Sequence, residues 1–308
     1  MKPEAKPVYG GQAVLEGVMI RGQRQAAVAV RRPDGAIVLR TFDISPVFSG
    51  KLRRVPLVRG VLVLAETLAL GMRALTHSAN VGMGKEGEEM SKGSVAGVIT
   101  VSLLLAIGIF FLLPVFASRG LEGFLGSGIL SNLAEGAIRL AIFLAYIALI
   151  GRMQEIKRVF MYHGAEHMTV HALEKGDPLE VEAVRKYSTA HPRCGTAFLL
   201  TVMVVAIVVF AFTGRDPLWW LIASRVVLVP VIAAVSYEVI RFSGRHTGNA
   251  LVKATAAPGI LLQGLTTRKP DDAQIEVAIA AMKLAIEADQ KAMVSGAAPA
   301  VAATRPQA

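Results

Sequence analysis

Four long apolar runs divide the chain, near residues 95–116, 134–151, 197–213 and 218–240. Each approaches the roughly 20 residues that a helix needs to cross a bilayer core, so the pattern predicts four transmembrane helices. The third is short and borrows from its flanks. Ahead of them, residues 8–45 mix β-branched and polar positions. Gln12 to Ile20, Ala27 to Val30, a tight Pro33-Asp34-Gly35 turn and Ala36 to Leu39 predict a small antiparallel β unit. Between this unit and the spans, Val58 to Leu75 reads as a mostly apolar helix interrupted by Arg59, Glu66 and Arg73. An unpaired Glu66 at the bilayer centre costs several kcal/mol, so this helix is expected to be interfacial, re-entrant or packed beneath the spans. Residues 82–94 read as a polar loop.

After the spans, Pro270-Asp271-Asp272 starts a helix with acids in its first turn, and Ile275, Ile279, Met282 and Ile286 give it an apolar stripe. The expected fold is a mainly α polytopic membrane protein with four spans, a small N-terminal antiparallel β element and a C-terminal amphipathic helix. Its parts are a cytoplasmic β element over 1–50, the helix and loop of 51–94, and a membrane domain over 95–240 carrying a histidine-bearing insert at 152–196. A C-terminal cytoplasmic segment follows over 241–294, then a disordered Ala/Pro-rich tail over 295–308. Pro258-Gly259 is expected to break the chain within the C-terminal segment.

Composition sharpens the membrane reading. The chain is 53% hydrophobic and only 18% charged, with a mean hydropathy of +0.51, values foreign to an ordinary soluble enzyme. A net charge of +10 suits an anionic membrane surface better than nucleic acid, for which aromatics are few and motifs lacking. Residues 152–193 hold seven Lys/Arg and the first 60 residues eleven, against one, Arg119, between the first two spans and one, Arg215, between the last two. The positive-inside rule then puts both termini and the insert in the cytoplasm, in a multi-pass membrane protein. The N-terminus lacks the apolar core of a signal peptide, so insertion is expected to rest on the internal runs. Arg139 and Arg225 fall inside spans, where pairing with Glu135 or Glu122 or snorkelling is expected rather than a polar pathway.

The chemistry concentrates in the insert. His163, His167 and His171 recur at i, i+4 and i+8 on one helical face, with Glu166 inside the first pair. Successive histidines lie about 40° apart on such a helix, so the first two can share a metal. His-x-x-Glu-His is the inverzincin order, with the glutamate placed as general base. That helix is expected to continue from the second span to a C-terminal glycine, Gly176, with another helix from Asp177-Pro178 to about Tyr187. Ser188 to Gly195 then forms a connector holding His191 and Cys194, the one cysteine, so an intrachain disulfide is impossible. His163 and His167 are the first two candidate ligands of zinc or another divalent metal; His191, Cys194 and Glu238 are candidates for the third. Glu166 is the candidate catalytic base, and His171, Tyr162 or His246 the candidate proton donor. Gly10, Gly11, Gly17 and Gly22 match no Walker or dinucleotide pattern and read as turns or close backbone approaches.

Several strings carry a resemblance. Tyr9 to Gly22, Tyr162-His163-Gly164-Ala165-Glu166-His167, His191-Pro192-Arg193-Cys194-Gly195-Thr196, the block around Pro258-Gly259, and Leu265 to Asp272 resemble, in order, the YqhQ-like bacterial membrane family. The resemblance covers roughly residues 8–290. The family is classed as a domain of unknown function and sometimes labelled a predicted metal-dependent enzyme, which implies a membrane protein with a metal site and no named reaction.

Residues and resemblance together point to a metal-dependent hydrolase at the cytoplasmic membrane face, acting on peptide or lipid-linked substrates. A di-iron hydroxylase needs more histidine boxes than six histidines supply, and Pro192 disfavours a helical His191–Cys194 nucleophile pair. The non-enzyme alternative is a membrane scaffold or assembly factor that binds a protein partner through its cytoplasmic segments. There the histidines only hold a helix seam, Glu166 pairs with Arg241 or Arg245, and Cys194 is a small buried thiol.

Overall fold

The computed structural model describes residues 9–45, 55–84, 92–125, 128–192, 194–245 and 249–294. The basic run 51–54, most of the 82–94 loop, His246 and the 295–308 tail lie outside the described residues.

The N-terminal unit is a four-stranded antiparallel meander: β1 (Gly10–Val14), β2 (Gly17–Arg21), β3 (Gln25–Arg31) and β4 (Ile37–Asp43). The stretch from Gln12 to Ile20 is divided between two strands, because the chain turns at Leu15-Glu16, where Glu16 has φ 51°. Side-chain alternation sorts the sheet into two faces. Val18 and Ile20 stand opposite Ala29 and Ala27 on one face, while Met19 stands opposite Val28 on the other. All six are fully or nearly buried, so the two central strands are covered on both sides.

One cover is α1 (Val58–Gly82), whose Leu70, Ala74 and Val81 pack with Met19, Val28 and Phe42. Glu66 of this helix is buried and accepts a hydrogen bond from Arg21 Nε at 2.8 Å, so it is neutralised inside protein rather than exposed to lipid. At its start, Gly60 lets α1 approach another helix closely; a Cβ there would sit 3.0 Å from Ala234 Cα.

The apolar region follows. α2 (Lys92–Ile107), a π-helical turn (Gly108–Leu112) and α3 (Leu113–Gly120) join into one helix. After the short α4 (Glu122–Leu125) comes α5 (Gly128–Ile150). Gly93–Gly120 with 28 residues and α5 with 23 are long and apolar enough to cross a membrane. The rest of the sequence pattern needs correcting. The histidine helix α6 (Gln154–Lys175) is separated from α5 by a break at 151–153. The helix expected from Asp177 to Tyr187 is a single turn, α7 (Val181–Val184). The third apolar run, α8 (Gly195–Ala211), has 17 residues, about 25 Å against a core of about 30 Å. The fourth is a pair, α9 (Leu218–Val227) and α10 (Val229–Arg245), bent by 42° at its junction. Instead of the four spans expected, the described residues hold two helices long and apolar enough to cross a membrane, or three if the bent pair counts as one.

α11 (Ala250–Thr266) contains Pro258 instead of ending there. α12 (Asp272–Val294) supplies the other cover of the sheet: Ile275, Ile279, Met282 and Ala285 pack with Val18, Ile20, Ala27, Ala29 and with Tyr162, Ala165 and Met168 of α6. The expected amphipathic helix is thus a core helix of a small three-layer unit. α6 rides on that unit and carries the histidines.

Candidate metal centre

α6 begins after an extended Met153 and ends at Gly176, whose φ of 79° is left-handed. There the Asp177 N–H donates to Ala172 O at 2.9 Å and the Gly176 N–H to Leu173 O at 3.1 Å, closing the last turn on orphan carbonyls. Tyr162, Ala165 and Met168 face the sheet and α12. His163, His167 and His171 therefore face the other way, towards the connector leading into α8.

That connector is fixed from both sides. The buried Gln263 of α11 grips the backbone of His191, accepting its N–H at 2.8 Å and donating to its carbonyl at 3.0 Å. On the α6 side, His167 Nδ1 donates to Thr189 O at 2.6 Å and His171 Nε2 to Ala190 O at 2.9 Å. His163 Nδ1 donates to Thr266 O at 2.8 Å. A carbonyl can only accept, so each bond fixes the tautomer. For His163 and His167 the proton sits on Nδ1 and the lone pair on Nε2, the second-sphere arrangement of histidine metal ligands.

The two Nε2 atoms meet the thiol of Cys194. Its Sγ lies 3.3 Å from His163 Nε2, and one donor atom from each of His163, His167 and Cys194 falls within 4.8 Å of the others. Two ligands at zinc distances around a tetrahedral ion are about 3.3–3.6 Å apart, so the donor set fits such an ion. Cys194 also begins α8, where the Thr196 N–H approaches Sγ at 3.3 Å and the Thr196 hydroxyl lies 3.0 Å away.

Glu166 lies about 60° to the other side of His163 on the helix. Its Oε1 accepts the Gly11 N–H of β1 at 3.0 Å, and its Oε2 is 3.5 Å from His167 Nε2. Gly11 is tightly placed, since a Cβ there would fall 2.0 Å from Met19 O. Glu16, in the β1–β2 turn, docks this edge on α6. It accepts both Arg158 Nε at 2.6 Å and the Tyr162 hydroxyl at 3.2 Å. The Arg158 guanidinium holds the Glu16 carboxyl below the usual range.

Burial dominates the electrostatics. It raises the Glu166 carboxyl, against the opposing pull of His163, His191 and the Gly11 N–H. It also lowers His167 and His191 from the ordinary histidine value. The 3.5 Å approach of Glu166 to His167 is therefore no ion pair, and a neutral imidazole is the form that binds metal. A cleft with about 40 Å³ of water-accessible space opens between Tyr9–Gly11, the α6 side chains and Cys194–Gly195, room for a few waters.

Of the residues singled out by sequence, His163, His167, Cys194 and Glu166 come together. His191 lines the cleft, but its Nε2 points to Glu174 Oε1 at 3.3 Å. Glu238 does not reach the centre. Arg59 and the Leu57 N–H, 3.2 Å from its Oε1, hold its carboxylate, and it does not line the cleft. Tyr162 donates to Glu16, away from the cleft, and His246 falls outside the described residues. Glu166 is held by the Gly11 N–H, and the Arg245 side chain, offered as a partner for it, lies outside the described residues. Sequence reasoning missed Gly11, Thr189, Thr266 and Gln263, which act through backbone groups or grip backbone. Of these, only the glycine-punctuated opening string gave a signal, as a close backbone approach.

The profile of a family described as "Protein of unknown function (DUF1385)" matches residues 55–288. The "Uncharacterized protein YqhQ" of Bacillus subtilis (strain 168) is 34% identical over 294 residues, 90% of this chain and 92% of that protein. No solved structure matches the chain significantly. The chain belongs to this YqhQ-like family.

Proposed function

We propose that the chain is a multi-pass cell-membrane protein whose cytoplasmic face carries a metal-dependent hydrolase centre, with His163, His167 and Cys194 as ligands and Glu166 as general base. The observation that carries this reading is the convergence of two lone pairs and a thiol, with each imidazole locked by a backbone carbonyl. Three protein ligands with space beside them is the arrangement of catalytic rather than structural zinc sites. The ion, when bound, supplies Lewis-acid polarisation of a water or carbonyl oxygen.

The chain's own residues do the rest. Gly11 tethers one carboxylate oxygen of Glu166, leaving Oε2 on the side of His167 to take a proton from water. Its buried surroundings make Glu166 a stronger base than a solvated glutamate. The Nδ1–H bonds of His163 and His167 hold both rings against rotation as charge changes nearby. The cleft's small volume suits an extended peptide or lipid-linked ester presented at the membrane surface, with most of the substrate left outside. The seven Lys/Arg of residues 152–193 support a cytoplasmic location for this face.

Elemental mass spectrometry of purified, tag-free protein tests the centre. Wild type is expected to carry zinc or another divalent metal, and His163→Ala, His167→Ala and Cys194→Ala each to lose one equivalent while remaining folded. Glu166→Gln is expected to keep its metal, because that side chain is no ligand in this reading. Wild type prepared without chelator and lacking stoichiometric metal would overturn the proposal and favour the scaffold.

A further inference from the structure

The connector turns over the histidine face of α6, with the Cys194 N–H donating to His191 O at 3.2 Å. On one side of that turn Cys194 sits level with His163 and His167; on the other, His191 sits level with His171 and Glu174. One helix face and one connector therefore meet twice. At the second meeting His171, Glu174 and His191 each bring a donor atom within 4.8 Å of the others.

We infer that His171, Glu174 and His191 form a second divalent-metal site beside the first. Glu174 Oε1 and His191 Nε2 lie 3.3 Å apart, the edge length of a tetrahedron with metal–ligand bonds of about 2.05 Å. The bond from His171 Nε2 to the Ala190 carbonyl fixes its proton on Nε2 and assigns the lone pair to Nδ1. This is the anchoring device of His163 and His167, with the ring nitrogens exchanged. The rings of His171 and His191 are 4.5 Å apart between centroids, and the His191 ring is 5.8 Å from that of His167. His191 is thus the wall between the two sites: it lines the first cleft and supplies a ligand to the second. Glu174 has a side chain 35% exposed, which gives an ion a way in from solvent.

The two sites differ in chemistry. The first, with two imidazoles and a thiolate, is soft and suits zinc. The second, with two imidazoles and a carboxylate and no sulfur, suits zinc, iron(II) or manganese(II).

Cobalt(II) separates the sites, because only a thiolate ligand gives the near-ultraviolet sulfur-to-cobalt band. Full-length protein in detergent is demetallated and titrated with cobalt(II), following absorbance and bound cobalt. Wild type is expected to bind two equivalents, one of them raising the thiolate band. Glu174→Gln and His171→Ala should each bind one equivalent with the band intact, and Cys194→Ser should lose the band and keep the other equivalent. Glu174→Gln changes a partly exposed side chain and so guards against a trivial loss of fold. One equivalent in wild type with the thiolate band, unchanged in both second-site variants, would overturn the inference. So would no bound cobalt at all. One equivalent without the band, lost in Glu174→Gln, would uphold the second site and sink the hydrolase centre instead.

Discussion

At the residue scale, the imidazoles of the first centre are only as well placed as the carbonyls that hold them, and those carbonyls depend on a glycine. Gly164 lies next to His163, and a Cβ on it would fall 2.2 Å from Arg268 O, a backbone atom that cannot swing aside. The same contact is tied by the Arg268 N–H to Phe160 O bond of 2.9 Å, two residues from the Thr266 carbonyl that anchors His163. Alanine gains up to about 1 kcal/mol in helix propensity, but a forced backbone separation costs about 1–3 kcal/mol. Gly164→Ala should therefore lower thermal stability and weaken metal binding by tenfold or more in a competition titration with a chromophoric chelator. Gly264→Ala, where nothing lies within 4 Å of the added carbon, should be neutral or slightly stabilising. If Gly164→Ala bound metal as wild type does, the carbonyl anchor would not matter. The side chains of the candidate site were legible, because i, i+4 spacing and a shared connector are written in side chains. Glu174 carried a signal too, three residues after His171 on the same face. Glu238 misled because nothing in the sequence shows that Arg59, 179 residues away, binds it first.

At the scale of elements, α5 shows what apolar patterning hides. Asn132, Glu135 and Arg139 lie on one face of it and are buried. Glu135 accepts from Arg139 at 2.6 Å, from Arg225 of α9 at 2.7 Å and 3.0 Å, and from Arg215 at 3.0 Å. Arg139 also donates to Phe110 O at 2.9 Å, in the π-helical turn, and Arg215 reaches Glu122 and the Ser118 hydroxyl. The pairing of Arg139 and Arg225 with Glu135 followed from the cost of a lone charge in a span. That three arginines meet on one carboxylate did not, because the convergence depends on the bend between α9 and α10 and on the loop holding Arg215. Removing one partner of a buried ion network leaves the others uncompensated, at about 3–5 kcal/mol. Glu135→Gln keeps the shape and removes the counter-charge that three guanidinium groups share. It should lower the unfolding midpoint in detergent far more than Glu122→Gln, whose parent side chain is 35% exposed and whose pair contributes at most about 1 kcal/mol. Equal effects of the two would show the cluster to be solvated. The other element-level surprises share one cause: a four-residue α7 and a Pro258 accepted inside α11 are set by tertiary packing, which overrides local punctuation.

For the whole molecule, the decisive fact is that the Glu135 ion cluster and the histidine cluster lie at opposite ends of α5. Glu135 is near its start, and α6 with the histidines follows its end after a three-residue break. From Glu135 to Ile150 is about 22 Å of helix. Between these ends the protein does little to cover its apolar surface: only 11% of the most apolar stretch of Gly93–Gly120 and 17% of that of α5 is buried. Surface of that kind marks contact with a membrane or with another protein. The small sheet, by contrast, is sealed by α1 and α12 and sits with the histidine cluster at one end, where residues 152–193 concentrate their cations. Hydrophobic runs and charge bias made this polarity legible in the sequence, but not which runs are whole helices, since length alone separates neither a 17-residue α8 nor a bent pair from a span. If a bilayer fills the gap and the basic end is cytoplasmic, two exposed positions must face opposite compartments. Lys186, beside the metal centre, has a side chain 60% exposed, and Asp216, at the Glu135 end, one 86% exposed. In a Cys194→Ser background, Asp216→Cys should react with a membrane-impermeant maleimide in intact cells, and Lys186→Cys only after permeabilisation. The reverse pattern would turn the molecule over and place the metal centre outside the cell. Labelling of both from outside would mean that no bilayer separates the two ends, and the apolar helices would then have to be buried against another protein.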